Sequence, residues 1–144
     1  MPHQAFHGTI PDDRLYCPRY DMWVAMAGDG EVRVGATAFG LFLAGEVIAF
    51  TAKPRGAAVA IGRGLGTVEC RKTVLAVHAP VSFIIAAGND AAEEHPAVIN
   101  RDPYGAGWMA CGPATAWAAE RPGLLDAVAY RHHILALEPE ATFD

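Results

Sequence analysis

The stretch Leu65–Val77, which reads LGTVECRKTVLAV, decides how the chain folds. Leu65–Glu69 and Thr73–Val77 are rich in β-branched and apolar side chains, a composition typical of strands. The intervening residues, Cys70-Arg71-Lys72, are polar enough to form the bend between two such strands. The stretch therefore predicts a β-hairpin with Lys72 at its tip, where the amine projects into solvent.

Lysine is rare in this chain, which has 11 lysines and arginines together. Only Lys53 and Lys72 are lysines, and arginine supplies the remaining positive charge. Because a lysine amine can be acylated and a guanidinium in practice cannot, a lysine retained at a bend is a candidate for chemistry at its amine. A compositional preference for arginine explains the same count, so the context of Lys72 must decide.

Composition bounds the class of protein. A chain of 144 residues, 52% hydrophobic and 19% charged, is suited to a single folded core. Its net charge of −5 argues against nucleic acid as a partner, because phosphate binding needs a basic face. No apolar run approaches the length of a membrane span, and Met1–Ile10 does not resemble a secretory signal. Three scattered cysteines do not form a disulfide framework, so we expect a cytoplasmic protein.

Short apolar runs separated by glycines indicate a mainly β fold. Met22–Ala27 and Glu31–Val34 flank a Gly-Asp-Gly turn and predict a second hairpin. A short helix is predicted over Thr37–Leu43, with Thr37 as its N-cap. Val47–Gly62 and Thr73–Gly88 form a weak internal repeat, which suggests two halves of a flattened β-sandwich and places Glu46 and Lys72 directly before matching strands.

The two ends of the chain differ from its centre. Residues 1–19 contain three prolines and no clear period, which predicts an extended segment ahead of a single domain over residues 20–144. Within residues 114–137, helices are predicted over Ala114–Glu120 and Leu124–Leu137, separated by a Pro-Gly pair.

Two segments of the chain resemble the glycine cleavage system H protein family. Gly66–Thr73, followed by Ala79–Ser82, resembles the family's lipoylation hairpin, whose pattern is Glu-Ser-Val-Lys-Ala and then Pro-Val-Ser-Gly. Asn100–Trp108, which reads NRDPYGAGW, resembles the family's Asn-x-Asp-Pro-Tyr-Gly-x-Gly-Trp segment. With a likeness around Trp23 and Val34–Thr37, the resemblance extends from Tyr20 to Tyr130.

The resemblance implies both a fold and a cofactor. The implied fold is a mainly β, flattened sandwich, the barrel-sandwich hybrid of lipoyl and biotinyl domains, with short flanking helices and a C-terminal helix. The implied cofactor is lipoate, joined to Lys72 as an amide so that a swinging arm shuttles intermediates between enzymes; the flanking residues are Glu69, Cys70, Arg71 and Thr73. The implied protein is a carrier rather than an enzyme, and we expect no catalytic residues and no metal site.

The implied partners are a lipoate ligase or an octanoyl/lipoyl transferase, glycine decarboxylase and dihydrolipoamide dehydrogenase. This chain departs from the family pattern at several positions, and these departures leave alternatives open. It has Cys70-Arg71 where the family has Ser-Val, Thr73 where it has Ala, Phe83 where it has Gly, and Asp21-Met22 where it has His-Glu. One alternative is a lipoate-binding carrier of bacterial sulfur oxidation that serves a heterodisulfide-reductase-like complex. Another is a binding module of the same fold without the arm.

Cys70 has two interpretations at the sequence level. A thiol so close to the arm could exchange with the lipoyl dithiolane or act as a nucleophile, with Arg71 lowering its pKa. It could equally be an ordinary, buried strand cysteine.

Overall fold

The structure is a computed structural model and describes residues 4–144. Most of its regular structure consists of short strands, joined by tight turns and five short helices. The strands are β1 (His7–Gly8), β2 (Leu15–Cys17), β3 (Met22–Met26), β4 (Glu31–Ala36), β5 (Val47–Ala52), β6 (Ala58–Val59), β7 (Gly64–Cys70), β8 (Thr73–His78), β9 (Phe83–Ile84), β10 (Ala87–Gly88), β11 (Ala110–Pro113) and β12 (Thr142–Phe143). The α-helices are α1 (Ala38–Ala44), α2 (Asp90–Glu94), α3 (Ala97–Arg101), α4 (Trp117–Glu120) and α5 (Ala127–Leu137), and Arg121–Gly123 forms a 3-10 turn.

Two antiparallel sheets enclose the main core. One has five strands in the order β10-β11-β4-β3-β2, and the other has three in the order β5-β7-β8. Alternate side chains of both sheets point inward, so that Val32 and Val34 of β4 and Val68 and Cys70 of β7 belong to one buried cluster. The mainly β, sandwich-like fold with short helices that the resemblance implies is confirmed.

The two copies of the weak internal repeat lie on either side of β7. β5 and β8, the first strand of each copy, both pair antiparallel with β7. β6 and β9, the second strand of each copy, pair with each other. Because Val47 and Thr73 both pair with Cys70, the preceding residues, Glu46 and Lys72, lie at the same end of the three-stranded sheet.

The helix before β5 forms as the sequence predicts. Thr37 caps α1, because its hydroxyl oxygen accepts a hydrogen bond from the Gly40 amide at 3.0 Å. The helix ends at Gly45, whose φ of +93° is a left-handed conformation that favours glycine. The predicted Gly-Asp-Gly hairpin also forms, as β3 and β4.

The predicted extended N-terminal segment, residues 1–19, contains structure that the sequence did not indicate. Residues 1–3 lie outside the described part. In the remainder, β1 pairs with β12 in parallel and β2 pairs with β3. Phe6, Ile10 and Tyr16 are buried in a second cluster with Trp23, Phe39 and Tyr130. The sequence did not predict this packing, because the apolar residues of the segment are irregularly spaced among prolines and follow neither a strand nor a helix period.

Both predicted C-terminal helices begin later than expected. Ala114 forms an isolated β-bridge with Phe83. The next residue, Thr115, donates its backbone amide to the Ser82 carbonyl. Because these residues are paired with a strand, the first helix starts only at Trp117. Leu125 exchanges two backbone hydrogen bonds with Tyr16, each 2.8 Å long. The last helix therefore begins at Ala127, after Asp126, whose carboxylate caps the Ala129 amide. Contacts with strands distant in sequence override the local helix preference.

Candidate functional site

The tip of the β7–β8 hairpin presents Lys72 to solvent. Cys70 pairs with Thr73, so Arg71 and Lys72 alone form the turn, and both are exposed. Within residues 4–144 the Lys72 side chain has no hydrogen bond and no ion pair. The amine is therefore accessible to a modifying enzyme.

The hairpin is anchored on its inner face. Val68 and Cys70 of β7 are buried in the main core, while Glu69 between them is exposed. Pairing of β7 with both β5 and β8 fixes the strand that leads to the turn. A stiff base with a solvent-exposed lysine is the arrangement that a tethered arm needs, because the arm can move while its attachment point stays fixed.

Cys70 is packed into the main core, although it also borders a cavity at the turn. It is 3% exposed, and burial raises the pKa of its thiol. Both effects lower the reactivity of the thiol, because the thiolate is the nucleophile and it must be reached. The structure thus favours the interpretation of Cys70 as a packed strand residue over a thiol that exchanges with the dithiolane.

We expect Cys70 to react with iodoacetamide at neutral pH about tenfold or more slowly than half-buried Cys111, because its thiolate fraction and its access are both reduced. Peptide mass spectrometry after timed labelling measures both rates in one sample. Labelling in denaturant provides the control, in which the two cysteines should react alike. Fast modification of Cys70 in the native protein would revive the reactive-thiol hypothesis.

An apolar groove runs beside the hairpin, between β8 and the helix α1. Its volume is about 420 Å³, and its walls include Leu41 and Leu43 of α1 and Leu75 and Val77 of β8. Leu43 is 58% exposed and Leu75 is 40% exposed. β8 is an edge strand of its sheet, and Leu75 lies on it three residues after Lys72, so this apolar surface is open to solvent on the strand that follows the turn.

Asp21 is among the residues that line this groove. Its φ of +54° is unusual for a residue with a side chain. Its carboxylate accepts a hydrogen bond from the Tyr130 hydroxyl at 2.7 Å, and that hydroxyl also lies 2.8 Å from the Thr37 hydroxyl oxygen. Burial raises the pKa of the Asp21 carboxyl, and the hydrogen bond from Tyr130 acts in the opposite direction. This network links the groove to α5.

A second cavity, of about 300 Å³, adjoins the turn itself. One wall is the hairpin tip, and the other is the loop that joins α1 to β5. The lining residues are Ala44, Gly45, Glu46, Cys70, Arg71, Lys72 and Thr73. The structure thus brings the predicted residues Cys70, Arg71, Lys72 and Thr73 together at one cavity, while Glu69 lies on the outer face of β7.

Sequence reasoning missed the groove and the part that Glu46 plays in the second cavity. The repeat placed Glu46 before a strand equivalent to that of Lys72, which was the available signal for their proximity. The sequence gives no comparable signal for the groove. The apolar run Thr73–Val77 predicts a buried strand, so it does not indicate that Leu75 is exposed. Within residues 4–144 no three His, Cys, Asp or Glu side chains are grouped as metal ligands. No helix in those residues has the length and apolar character needed to cross a bilayer.

Comparisons with known proteins give one consistent result. The family model described as "Glycine cleavage H-protein" matches residues 14–135. A glycine cleavage system H protein of Mycobacterium avium is 39% identical over 125 residues, which cover 85% of this chain and 94% of that protein. One from Marinobacter nauticus is 36% identical, covering 90% and 98% respectively. The crystal structure of a Mycobacterium marinum H protein superposes with a TM-score of 0.74 at 37% identity, covering 85% of this chain and 97% of that one.

These findings define the class of protein as a lipoyl carrier, a component whose cofactor is a lipoyl group attached covalently to a lysine. The chain belongs to the glycine cleavage H-protein family. The resemblance that two short segments suggested is thereby confirmed over most of the chain. These H-protein relatives lend no support to the sulfur-oxidation alternative.

Proposed function

We propose that Lys72 is the residue that carries the lipoyl arm. The observation that supports this most directly is the position of Lys72 in the two-residue turn of a hairpin, exposed and without a partner among residues 4–144. The other lysine, Lys53, follows β5 at the opposite end of the sheet, where its amide donates to the Leu65 carbonyl. Lys72 alone thus combines an exposed turn with the sequence pattern of the lipoylation hairpin.

The residues around Lys72 suit a lipoyl group. Amide formation removes the charge of the lysine, and the resulting arm is largely apolar. Leu43 and Leu75 offer an exposed apolar surface on the adjoining groove, against which the arm can rest between encounters. When bound, lipoate would supply a strained five-membered disulfide ring, which takes up two electrons and two protons from a partner's substrate or reductant to give a dithiol. The chain itself contributes the fixed tether, which keeps the reactive end at high effective concentration near docked partners.

We further propose that the partners are those of glycine cleavage. The relatives are glycine cleavage system H proteins, which supports glycine decarboxylase and dihydrolipoamide dehydrogenase as partners, together with a lipoate ligase or an octanoyl/lipoyl transferase. In this proposal the chain is not itself an enzyme, and residues 20–144 form one carrier domain against which the described part of residues 1–19 packs. Its three cysteines are free, which suits the reducing environment of the cytoplasm.

Lys72→Arg is expected to abolish lipoylation, because a guanidinium does not form the amide. Incubation with a lipoate ligase, ATP and lipoate should add one lipoyl group to the wild-type chain, as measured by intact mass, and fragment spectra should place it on residue 72. Lys53→Arg is the matched control, since it makes the same substitution at the other lysine and should leave loading unchanged.

An adduct on Lys53, or none with ligases and transferases of several kinds, would contradict the assignment of Lys72. Loaded wild-type protein should then support turnover by glycine decarboxylase, measured as exchange of bicarbonate carbon into glycine. If fully lipoylated protein supports no such exchange, the glycine-cleavage partners are wrong and the heterodisulfide-reductase-like partner becomes the candidate.

A further inference from the structure

One side chain fixes the backbone on both sides of Glu46. The amide nitrogen of Asn100, on α3, donates to the Gly45 carbonyl at 3.2 Å. The carbonyl oxygen of the same side chain accepts from the Val47 amide at 2.9 Å. The Gly45 amide also donates to the Leu41 carbonyl at 2.8 Å, which holds the loop between α1 and β5 to the last turn of the helix. Glu46 therefore stands on a rigid backbone although its side chain is exposed.

This rigid position lies directly beside the modified turn. Val47 pairs with Cys70, so Glu46, one residue earlier, lies level with the turn residue Arg71 in the antiparallel register. Glu46 and Lys72 line the same cavity of about 300 Å³, on its two opposite walls. A protein that covers this cavity therefore contacts both Glu46 and Lys72.

The two walls of the cavity differ in charge. The hairpin wall carries Arg71 and Lys72, whereas the loop wall carries Glu46. The last carbonyl groups of α1 lie at the base of the loop wall and add to its negative potential. Within residues 4–144 the Glu46 carboxylate has no hydrogen bond and no ion pair, so it is available to a partner.

We propose that Glu46 is a recognition residue for the enzyme that acylates Lys72, and that it pairs with a lysine or arginine of that enzyme. Enzymes that act on the finished arm meet its far end, whereas the acylating enzyme must reach the lysine nitrogen itself. It is therefore the partner whose contact surface covers the turn and the residues beside it, Glu46 among them. Because the backbone of Glu46 is already fixed, pairing orders only its side chain, and a charged contact at a fixed place helps to orient the partner. This inference rests on the proposed role of Lys72.

The test is the rate at which a lipoate ligase, with ATP and lipoate, loads each variant, followed by intact mass. Glu46→Gln should lower kcat/KM for the carrier about tenfold, mainly through KM, because an interfacial charge pair is lost. Glu46→Asp keeps the charge and should recover part of the rate. Added salt should slow loading of the wild-type protein more than that of Glu46→Gln.

Glu94→Gln is the matched control, since it removes the same charge from an exposed position on α2 that does not line the cavity. Both glutamine variants should unfold at the temperature of the wild-type protein. Loading of Glu46→Gln at the wild-type rate would overturn the inference and leave the role of Lys72 intact. Faster loading would also overturn it, because Glu46 would then be holding the Lys72 ammonium. Failure of the wild-type chain to load at all would instead refute the proposed function.

Discussion

Trp23→Ala is expected to lower the free energy of unfolding by about 3–5 kcal/mol, the usual cost of deleting a large buried aromatic side chain. Trp23 is fully buried in the second cluster, and its ring lies against the backbone of Gly35 and under the guanidinium of Arg14 at 4.7 Å. Its indole nitrogen donates to the Pro103 carbonyl at 2.9 Å. Truncation would therefore leave a cavity and an acceptor without its donor.

Denaturation by urea, followed by circular dichroism, measures this loss as a shift of the midpoint. Trp117→Ala is the control, because it deletes the same side chain from a half-buried position and should cost clearly less. Trp23→Phe should fall between the wild type and Trp23→Ala, since it restores much of the ring but not the hydrogen bond to Pro103. Equal midpoints for Trp23→Ala and Trp117→Ala would show that the second cluster contributes little to stability.

Gly112→Ala is expected to cost about 3 kcal/mol or more, because the added methyl group has no space. Gly112 lies in β11, where it pairs with Val32 of β4. A side chain at this position would overlap the Ile84 carbonyl oxygen and press on the Ala86 amide nitrogen, both of which belong to backbone. Backbone atoms cannot rotate aside as a side chain can, so the crossing of β9 over β11 would have to open.

Thermal unfolding of Gly112→Ala and Gly123→Ala gives a matched comparison. A methyl group on Gly123 meets no atom within 4 Å, so the control variant should differ from the wild type by about 0.5 kcal/mol or less. If Gly112→Ala were as stable as Gly123→Ala, the close crossing of the two strands would not exist in solution.

The hairpin and its lysine could be predicted because their signals are local. Strand-like residues flank a short polar bend, and strand pairing then places Lys72 outside the sheet whatever the rest of the chain does. The family pattern added the identity of the cofactor, which no propensity or spacing contains. The repeat suggested two halves of a sandwich, whereas its first strands, β5 and β8, lie in one sheet on either side of β7.

The rest depends on contacts between residues far apart in the sequence. The Asn100 side chain is hydrogen-bonded to the backbone of Gly45 and Val47, which lie more than fifty residues earlier in the sequence. No local sequence pattern predicts these hydrogen bonds. The strands before Arg19 form because β12 and β3 supply partners for them. The late start of α5 has the same origin, since the backbone of Leu125 is already paired with Tyr16. Tertiary pairing overrides local preference at each of these places.

The scarcity of lysine has a practical consequence for following this carrier in a mixture. Lys53 and Lys72 lie at opposite ends of one sheet. Lys53 is bonded to Leu65 at one end of β7, and Lys72 follows Cys70 at the other end, so the two lysines are separated by about 17 Å along the strand. Amine-directed reagents would therefore label two well-separated sites on the protein, one at Lys53 and one at Lys72. Once residue 72 has been converted to an amide it no longer reacts with such reagents, whereas Lys53 still does. The ratio of the two labelled peptides would thus measure the empty fraction of carrier without any assay of a partner enzyme.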